Sequence, residues 1–308
     1  MKPIILFLLA FFSISSFSQI LVTRDTLLMG SKFQISVVDD KETNAHSKIN
    51  LAIAEIVRLE EMLSTYKSTS EVSLINQNAG IQPVKVSEEL IFLTKIANHF
   101  SELTNGAFDI SIASMDKIWR FDGTMDTLPT SQEIEFAKRN VNFKNIVIDS
   151  KNQTIFLKNK GMKITFDSIG KSFAADNALA ILKNLGVQSA MVNAAGDITV
   201  MGNPPHQKTW NIGVQHPEKK NQIKKIVRLN SGAVTTSGDY QKYAYINGTR
   251  YSHIIDARTG YPTRLWKSIT NVGENATICN ALSTSCMLLT KKEQKQLLKK
   301  VKGFRIIR

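Results

Sequence analysis

The chain has 308 residues, 43% hydrophobic and 21% charged, an ordinary globular balance that can bury a full core in one large domain or two small ones. Its formal charge of +13 favours anionic partners such as a dinucleotide. No zinc-finger, RRM or KH pattern accompanies that charge, and the lysines of segments 219–225 and 291–302 read first as solvated faces, so no nucleic acid partner is expected.

In chain order, Lys2 precedes an apolar run from Ile4 to Phe12, and Ser16-Phe17-Ser18 offers small residues before Gln19. This is the pattern of a signal peptide over residues 1–18, so the protein is expected to be exported, to the periplasm or the outer face of the cell envelope. The run is shorter than the roughly 20 apolar residues a bilayer span needs, and no transmembrane span is expected in the mature chain. No cysteine lies near the cut, which argues against a lipoprotein.

Helical spacing follows over Ile49, Ile53, Ile56, Met62, Leu63 and Tyr66, and again over Leu93, Ile96, Ala97, Phe100 and Leu103. The polar residues between these helices place Tyr66 at a helix end beside a loop. Ile146-Val147-Ile148 and Ile155-Phe156-Leu157 read as a hairpin. Thr130 with Glu133, and Thr290 with Glu293, are capping boxes that start two further helices. From Lys163 the order is strand, turn, helix, strand: Lys163 to Phe166, Asp167 to Gly170, Lys171 to Leu185 with Gly186 as its stop, then Ala190 to Asn193. Only Gly170 stands at a turn where a Rossmann site wants three glycines, so a nicotinamide fold is not expected. Without a repeat, linker or composition break, residues 19–308 read as one α+β (mixed α/β) domain with room for two lobes.

Two positions are candidates for chemistry, although a lysine in such a place is more often a solvated surface charge and a lone histidine more often a structural residue. Lys171, at the mouth of the strand–turn–helix unit, is placed to meet a phosphate with its ammonium and the helix N-terminus together. His253, whose neutral and charged forms are both accessible near neutral pH, is the acid–base candidate. It stands in His253-Ile254-Ile255-Asp256-Ala257-Arg258-Thr259-Gly260, after an Asn247-Gly248 hairpin signal. Asp256 and Arg258 have two open roles: to orient His253, or to pair with each other and hold the turn. Cys279 and Cys286 fall seven residues apart in one expected helix, about 10.5 Å along its axis, too far for a disulfide.

Several blocks, in order, resemble the ApbE family of flavin transferases. They are Met29-Gly30-Ser31; Leu63-Ser64-Thr65-Tyr66 with Ser70 to Asn76; Thr104-Asn105-Gly106-Ala107-Phe108-Asp109-Ile110; and Ile118-Trp119-Arg120-Phe121. Phe166 to Asp176, Asn193-Ala194-Ala195-Gly196-Asp197, Thr235 to Tyr240 and His253 to Gly260 complete the set, which spans nearly all of the mature chain. The resemblance implies an FAD:protein FMN transferase, with FAD as substrate, Mg²⁺ as cofactor and a threonine of another protein as acceptor, releasing AMP. It implies flavin-nucleotide contacts at Met29, Tyr66, Ala107, Phe108, Asp109, Thr165, Lys171 and His253, with Met29, Tyr66 and Phe108 suited to a flat apolar slot for the isoalloxazine. Taken singly, each of those three reads as core packing. The implied catalytic residues are His253 and Lys171, and the implied Mg²⁺ ligands are Asn280, Thr284 and the carbonyl of Ser168.

The chain departs from the family pattern at Asn280 and Thr165, where the family has aspartates, and at Asp167, Ser172 and Ala195, where it has glycines. Two consequences are open. Asp167 compensates for Asn280 in the metal shell, or the protein is a non-catalytic flavin-binding or partner-binding relative. A third reading lets water replace the threonine, giving an FAD pyrophosphatase.

Overall fold

The computed structural model describes residues 19–219, 221–240 and 242–307; the expected leader, residues 1–18, lies outside them. The chain opens with β1 (Ile20–Leu28) and β2 (Ser31–Asp39), then α1 (Glu42–Leu63), α2 (Glu71–Gln77), β3 (Val84–Lys85) and α3 (Glu88–Leu103). A 3₁₀ turn (Ile110–Ser114), α4 (Ser131–Ala137), β4 (Ile146–Asp149) and β5 (Thr154–Leu157) lead to α5 (Gly170–Asn184). The second half holds β6 (Ala190–Ala194), β7 (Asp197–Met201), β8 (Trp210–Gln215), β9 (Ile223–Leu229), β10 (Ser231–Gly238), β11 (Tyr243–Ile246) and β12 (Thr249–Ser252). It ends with β13 (Ile255–Asp256), β14 (Tyr261–Pro262), β15 (Ser268–Gly273), α6 (Ala276–Leu288), α7 (Lys291–Lys300) and β16 (Arg305–Ile307). Among the described residues no helix is long and apolar enough to cross a membrane.

The spine is a seven-stranded sheet in the order β1-β2-β6-β7-β10-β15-β16, with every pairing antiparallel. This is an α+β architecture: the helices gather on one face and the β8–β9 ribbon covers part of the other. Alternation along β10 shows both coverings. Val234 points to the ribbon core with Trp210, Ile212 and Val227, whereas Ala233 packs on Cys279 of α6. Both cysteines are buried, and neither is in a disulfide. The capping boxes at Thr130 and Thr290 start α4 and α7, the Asn247-Gly248 turn joins β11 to β12, and Gly186, at φ +78°, stops α5.

The expected strand Lys163 to Phe166 joins no sheet. Its backbone groups are taken mostly by side chains: Asn76 Nδ2 donates to the Ile164 carbonyl (3.0 Å), Asn76 Oδ1 accepts the Ile164 N–H (2.7 Å), and Ser114 Oγ accepts the Lys163 N–H (2.7 Å), while the Thr165 N–H donates to the Ile110 carbonyl (3.0 Å). With these groups satisfied locally, the segment needs no ladder partner.

α5 and α6 are joined through one half-buried carboxylate. Asp176, in the middle of α5, accepts the backbone N–H groups of Ala276 (2.9 Å) and Thr277 (2.8 Å) and the Thr277 hydroxyl (2.6 Å). Burial pushes its carboxyl above the usual range, while these donors and the dipole at the start of α6 favour the ionised form. Replacing an acceptor that serves three donors leaves some of them unmet. We therefore expect Asp176→Asn to cost about 2–3 kcal/mol in urea unfolding; a loss within experimental error would show that the two helices dock without it.

Candidate active site

Met29 and Gly30 form the two-residue β1–β2 turn, with φ of +49° and +66°, and the left-handed conformation of a methionine there is a local strain of the kind found at binding sites. The Met29 N–H is anchored by Glu60 Oε2 at 3.0 Å. Next to this turn lies a cavity of about 310 Å³ lined by Met29, Glu60, Tyr66, Phe166, Asp167 and Lys171, among others. Tyr66 stands on the loop after α1, held by its N–H to Ser64 Oγ (3.1 Å), and its side chain is 95% exposed. The floor is closely packed: a Cβ on Gly170 would come within 3.3 Å of Leu63 Cδ1 and 3.8 Å of Met29 Cε.

No side chain caps the first turn of α5, which leaves N–H groups there for a ligand, and Lys171 adds its charge at the same place. Burial lowers the pKa of His253, and the Lys242 charge and, to a smaller extent, the Lys171 charge act in the same direction; the Lys171 charge also favours the ionised form of Asp197. His253 is half-buried, and its Nδ1 lies 3.1 Å from the Lys242 carbonyl. A carbonyl only accepts, so Nδ1 carries the proton and donates, and the lone pair is left on Nε2.

Beside Lys171 lies a buried polar network. Asn280 Nδ2 donates to Asp197 Oδ2 (2.6 Å) and to Ser172 Oγ (2.7 Å), and Ser172 Oγ donates to the same Asp197 oxygen (2.7 Å). Asn280 Oδ1 accepts from Thr284 Oγ1 (3.2 Å), and Ser237 Oγ lies 3.1 Å from Thr284 Oγ1. Burial pushes the Asp197 carboxyl up to about 6, against the Ser172 hydroxyl, the Lys171 charge and the Asn280 amide, all of which favour the ionised form. Asp197 begins β7, immediately after the Ala195-Gly196 turn; Ala195 holds φ +55°, which costs on the order of 1 kcal/mol for a residue with a Cβ.

The structure thus gathers Met29, Tyr66 and Lys171 around one cavity, with Ser168 on the adjoining turn, His253 within electrostatic reach, and Asn280 and Thr284 paired on one face of α6. Other expected site residues are placed differently. Phe108 is buried in the main core, edge-on to Phe100 with ring centres 6.3 Å apart, so neither face is open to a flavin. Ala107 is buried as well, and its carbonyl accepts the Ala257 N–H (3.2 Å), tying this block to the turn after His253. Asp109 accepts the backbone N–H groups of Ser111 (2.7 Å) and Phe143 (2.8 Å), and it lines a second cavity of about 390 Å³ with Lys138, Lys144 and Arg258. Thr165 Oγ1 accepts the Asp167 N–H (3.3 Å) and holds the turn. Asp167 stands exposed on the cavity lining; the carboxylate that meets Asn280 is Asp197, whose block the sequence singled out but whose role sequence reasoning missed. Asp256 and Arg258 pair with each other (2.7 Å), and Arg258 continues to Glu293 (3.1 Å).

Among the described residues no three His, Cys, Asp or Glu side chains converge to hold a metal ion. The chemistry of Asn280 Oδ1 and Thr284 Oγ1 nevertheless fits a hard dication, which takes neutral oxygens when negative charge lies nearby, and Asp197 supplies that charge one hydrogen bond away.

The ApbE family model matches residues 29–307, and the chain belongs to that family. Among solved structures it is similar to the ApbE protein of Thermotoga maritima, at 32% identity and a TM-score of 0.81, over 91% of this chain and 90% of that one. The flavin transferase ApbE of Vibrio cholerae shares the fold at 23% identity and a TM-score of 0.79, over 94% and 97% of the two chains. An FAD:protein FMN transferase of Klebsiella pneumoniae is 26% identical over 281 residues, 89% of this chain and 80% of that protein. One from Haemophilus influenzae is 28% identical over 271 residues, 85% and 78% of the two.

The two aromatic residues should separate cleanly. Phe108→Ala opens a core cavity and is expected to cost about 3–5 kcal/mol, whereas Tyr66→Ala at an exposed position is expected to change stability by no more than about 0.5 kcal/mol. Thermal and urea unfolding check both; comparable losses for the two variants would mean that Tyr66 packs inward.

Proposed function

We propose that the chain is an exported FAD:protein FMN transferase. The observation that carries this reading is the convergence on Lys171: a cavity with Met29 and an exposed tyrosine on one side, an uncapped helix N-terminus under the lysine, and a neutral histidine within its field. The family relatives named FAD:protein FMN transferase support the same activity.

In this account Tyr66 and Met29 receive the isoalloxazine, while Lys171 and the first turn of α5 receive the diphosphate. A threonine hydroxyl of the acceptor protein attacks the FMN-side phosphorus. The bond from that phosphorus to the bridging oxygen breaks, and AMP leaves with the bridging oxygen. His253 Nε2 takes the hydroxyl proton, and Lys171 stabilises the charge that develops on the leaving phosphate. A divalent cation such as Mg²⁺, when bound by Asn280, Thr284 and the Ser168 carbonyl, supplies further neutralisation of the diphosphate oxygens.

A second reading, a flavin-binding relative without catalysis, draws on the Asn280 amide being already committed to Asp197 and Ser172. Incubating the protein with FAD, Mg²⁺ and an acceptor carrying a flavinylation threonine separates the readings. FMN on the acceptor with an equal amount of AMP supports transfer, AMP without adduct supports FAD hydrolysis, and bound but intact FAD supports the non-catalytic reading.

Two further outcomes follow. Tyr66→Ala should weaken FAD binding by about 1–2 kcal/mol, roughly five- to thirty-fold, in a fluorescence titration; unchanged affinity would remove the tyrosine from the slot. Because burial holds the His253 pKa below the ordinary imidazole value, the neutral base persists as pH falls. The acidic limb of the transfer rate should therefore lie below about pH 6.5, with His253→Gln lowering the rate roughly 10²–10⁴-fold. A limb above that pH would contradict the assignment.

A further inference from the structure

The polarity of the network beside Lys171 is fixed by one residue. An asparagine amide is free to face either way, and at position 280 the choice decides whether an oxygen or an NH₂ group is turned toward Thr284. Asp197 is the acceptor that makes the choice. Its Oδ2 lies 2.6 Å from one Asn280 amide atom, and the reversed amide would set two acceptor oxygens at that separation in a buried site. The Ser172 hydroxyl has one hydrogen, given to the same carboxylate oxygen (2.7 Å), so Ser172 Oγ is left to accept from Asn280 Nδ2 (2.7 Å). Both amide hydrogens are thereby used, and Asn280 Oδ1 is presented to Thr284 (3.2 Å). The Thr284 hydroxyl hydrogen has a second acceptor in Ser237 Oγ, at 3.1 Å, so it can turn away and leave two oxygens, one from each side chain, open together.

We propose that Asp197 is the positioning residue of the cation site: it fixes Asn280 as an oxygen donor beside Thr284 and holds, one hydrogen bond behind the ligand, the negative charge that position 280 lacks. The inference rests on the reading of this site as one that takes a dinucleotide with a divalent cation. With an amide at 280, the carboxylate nearest the oxygen donor is that of its supporting partner. A carboxylate introduced at 280 without removing Asp197 would meet another carboxylate across 2.6 Å, and the two would share a proton or separate.

The test is Mn²⁺ binding to the full mature protein, followed by electron paramagnetic resonance or calorimetry with and without ADP, in the absence of FAD and acceptor. Asp197→Asn should weaken Mn²⁺ binding tenfold or more, the range seen when a metal ligand loses its supporting partner. Asn280→Asp alone should not tighten it. The double variant Asp197→Asn/Asn280→Asp, in which the amide at 197 donates to the carboxylate at 280, should recover the parental affinity or exceed it. Mn²⁺ binding by Asp197→Asn at the parental affinity would overturn the proposal, as would a parent that binds no Mn²⁺. So would a double variant whose loss is the sum of the two single effects. If Asp197→Asn fails to fold, the double variant still decides, because it keeps a donor facing an acceptor: tenfold weaker binding than the parent would count against the proposal. The outcome is separable from the transferase reading. Failed FMN transfer with the expected Mn²⁺ series refutes the activity alone, and transfer with an Mn²⁺ affinity indifferent to position 197 refutes this role alone.

Discussion

The carboxylate of Asp176, half-buried between α5 and α6, is the constraint on which the site depends. By accepting three donors from the first turn of α6, it sets that helix against α5 at a fixed height. Lys171 and Ser172 lie on α5 one turn or so before the clamp, and Asn280 and Thr284 lie on α6 just after it, so the same contact fixes the phosphate-facing and oxygen-donating residues relative to each other. Small side chains make the approach possible. Ala174, Ala175 and Ala178 of α5 and Ala281 of α6 are fully buried, and bulkier residues there would force the helices apart.

Several blocks that resemble the family signature turn out to build the frame around the site. Trp119 is buried under the β11–β12 hairpin, stacked on Tyr251 at 5.9 Å, and its indole N–H donates to the Gly260 carbonyl (2.9 Å). Gly260 itself cannot carry a side chain there, since a Cβ would stand 2.6 Å from Ile134 and φ is +75°. Together with the Ala107 to Ala257 hydrogen bond, these contacts hold the segment that follows His253. A tryptophan and a glycine 141 positions apart are thus one structural unit whose product is the placement of a histidine.

Much of this was legible in the sequence wherever the signal was local. Capping boxes, the Asn247-Gly248 turn and the glycine stop at 186 depend on residues within a few positions, and each forms as its chemistry dictates. Lys171 and Tyr66 were also readable, because a helix start and a helix end are marked by their neighbours. The rest was set by long-range pairing. Lys163 to Phe166 has a strand composition, yet Asn76, 88 residues earlier, takes the ladder's place for Ile164. Phe108 has the chemistry of a stacking residue but is edge-on to Phe100 in the core. Asp197 and Asn280 lie 83 positions apart, and only the fold shows that the carboxylate of one holds the amide of the other. Pairings of that kind are invisible to any motif read in a single segment.

The central claim is that one dinucleotide site is built where α5, α6 and the β1–β2 turn meet. The most direct measurement is a crystal structure of the protein with FAD and Mn²⁺, with anomalous scattering recorded at the manganese edge. The account predicts the isoalloxazine against Met29 and Tyr66, the diphosphate at Lys171, and an anomalous peak beside Asn280 Oδ1 and Thr284 Oγ1, with Asp197 still bonded to the Asn280 amide. A flavin seated away from Tyr66, or manganese held by Asp167 with Asn280 turned aside, would contradict it.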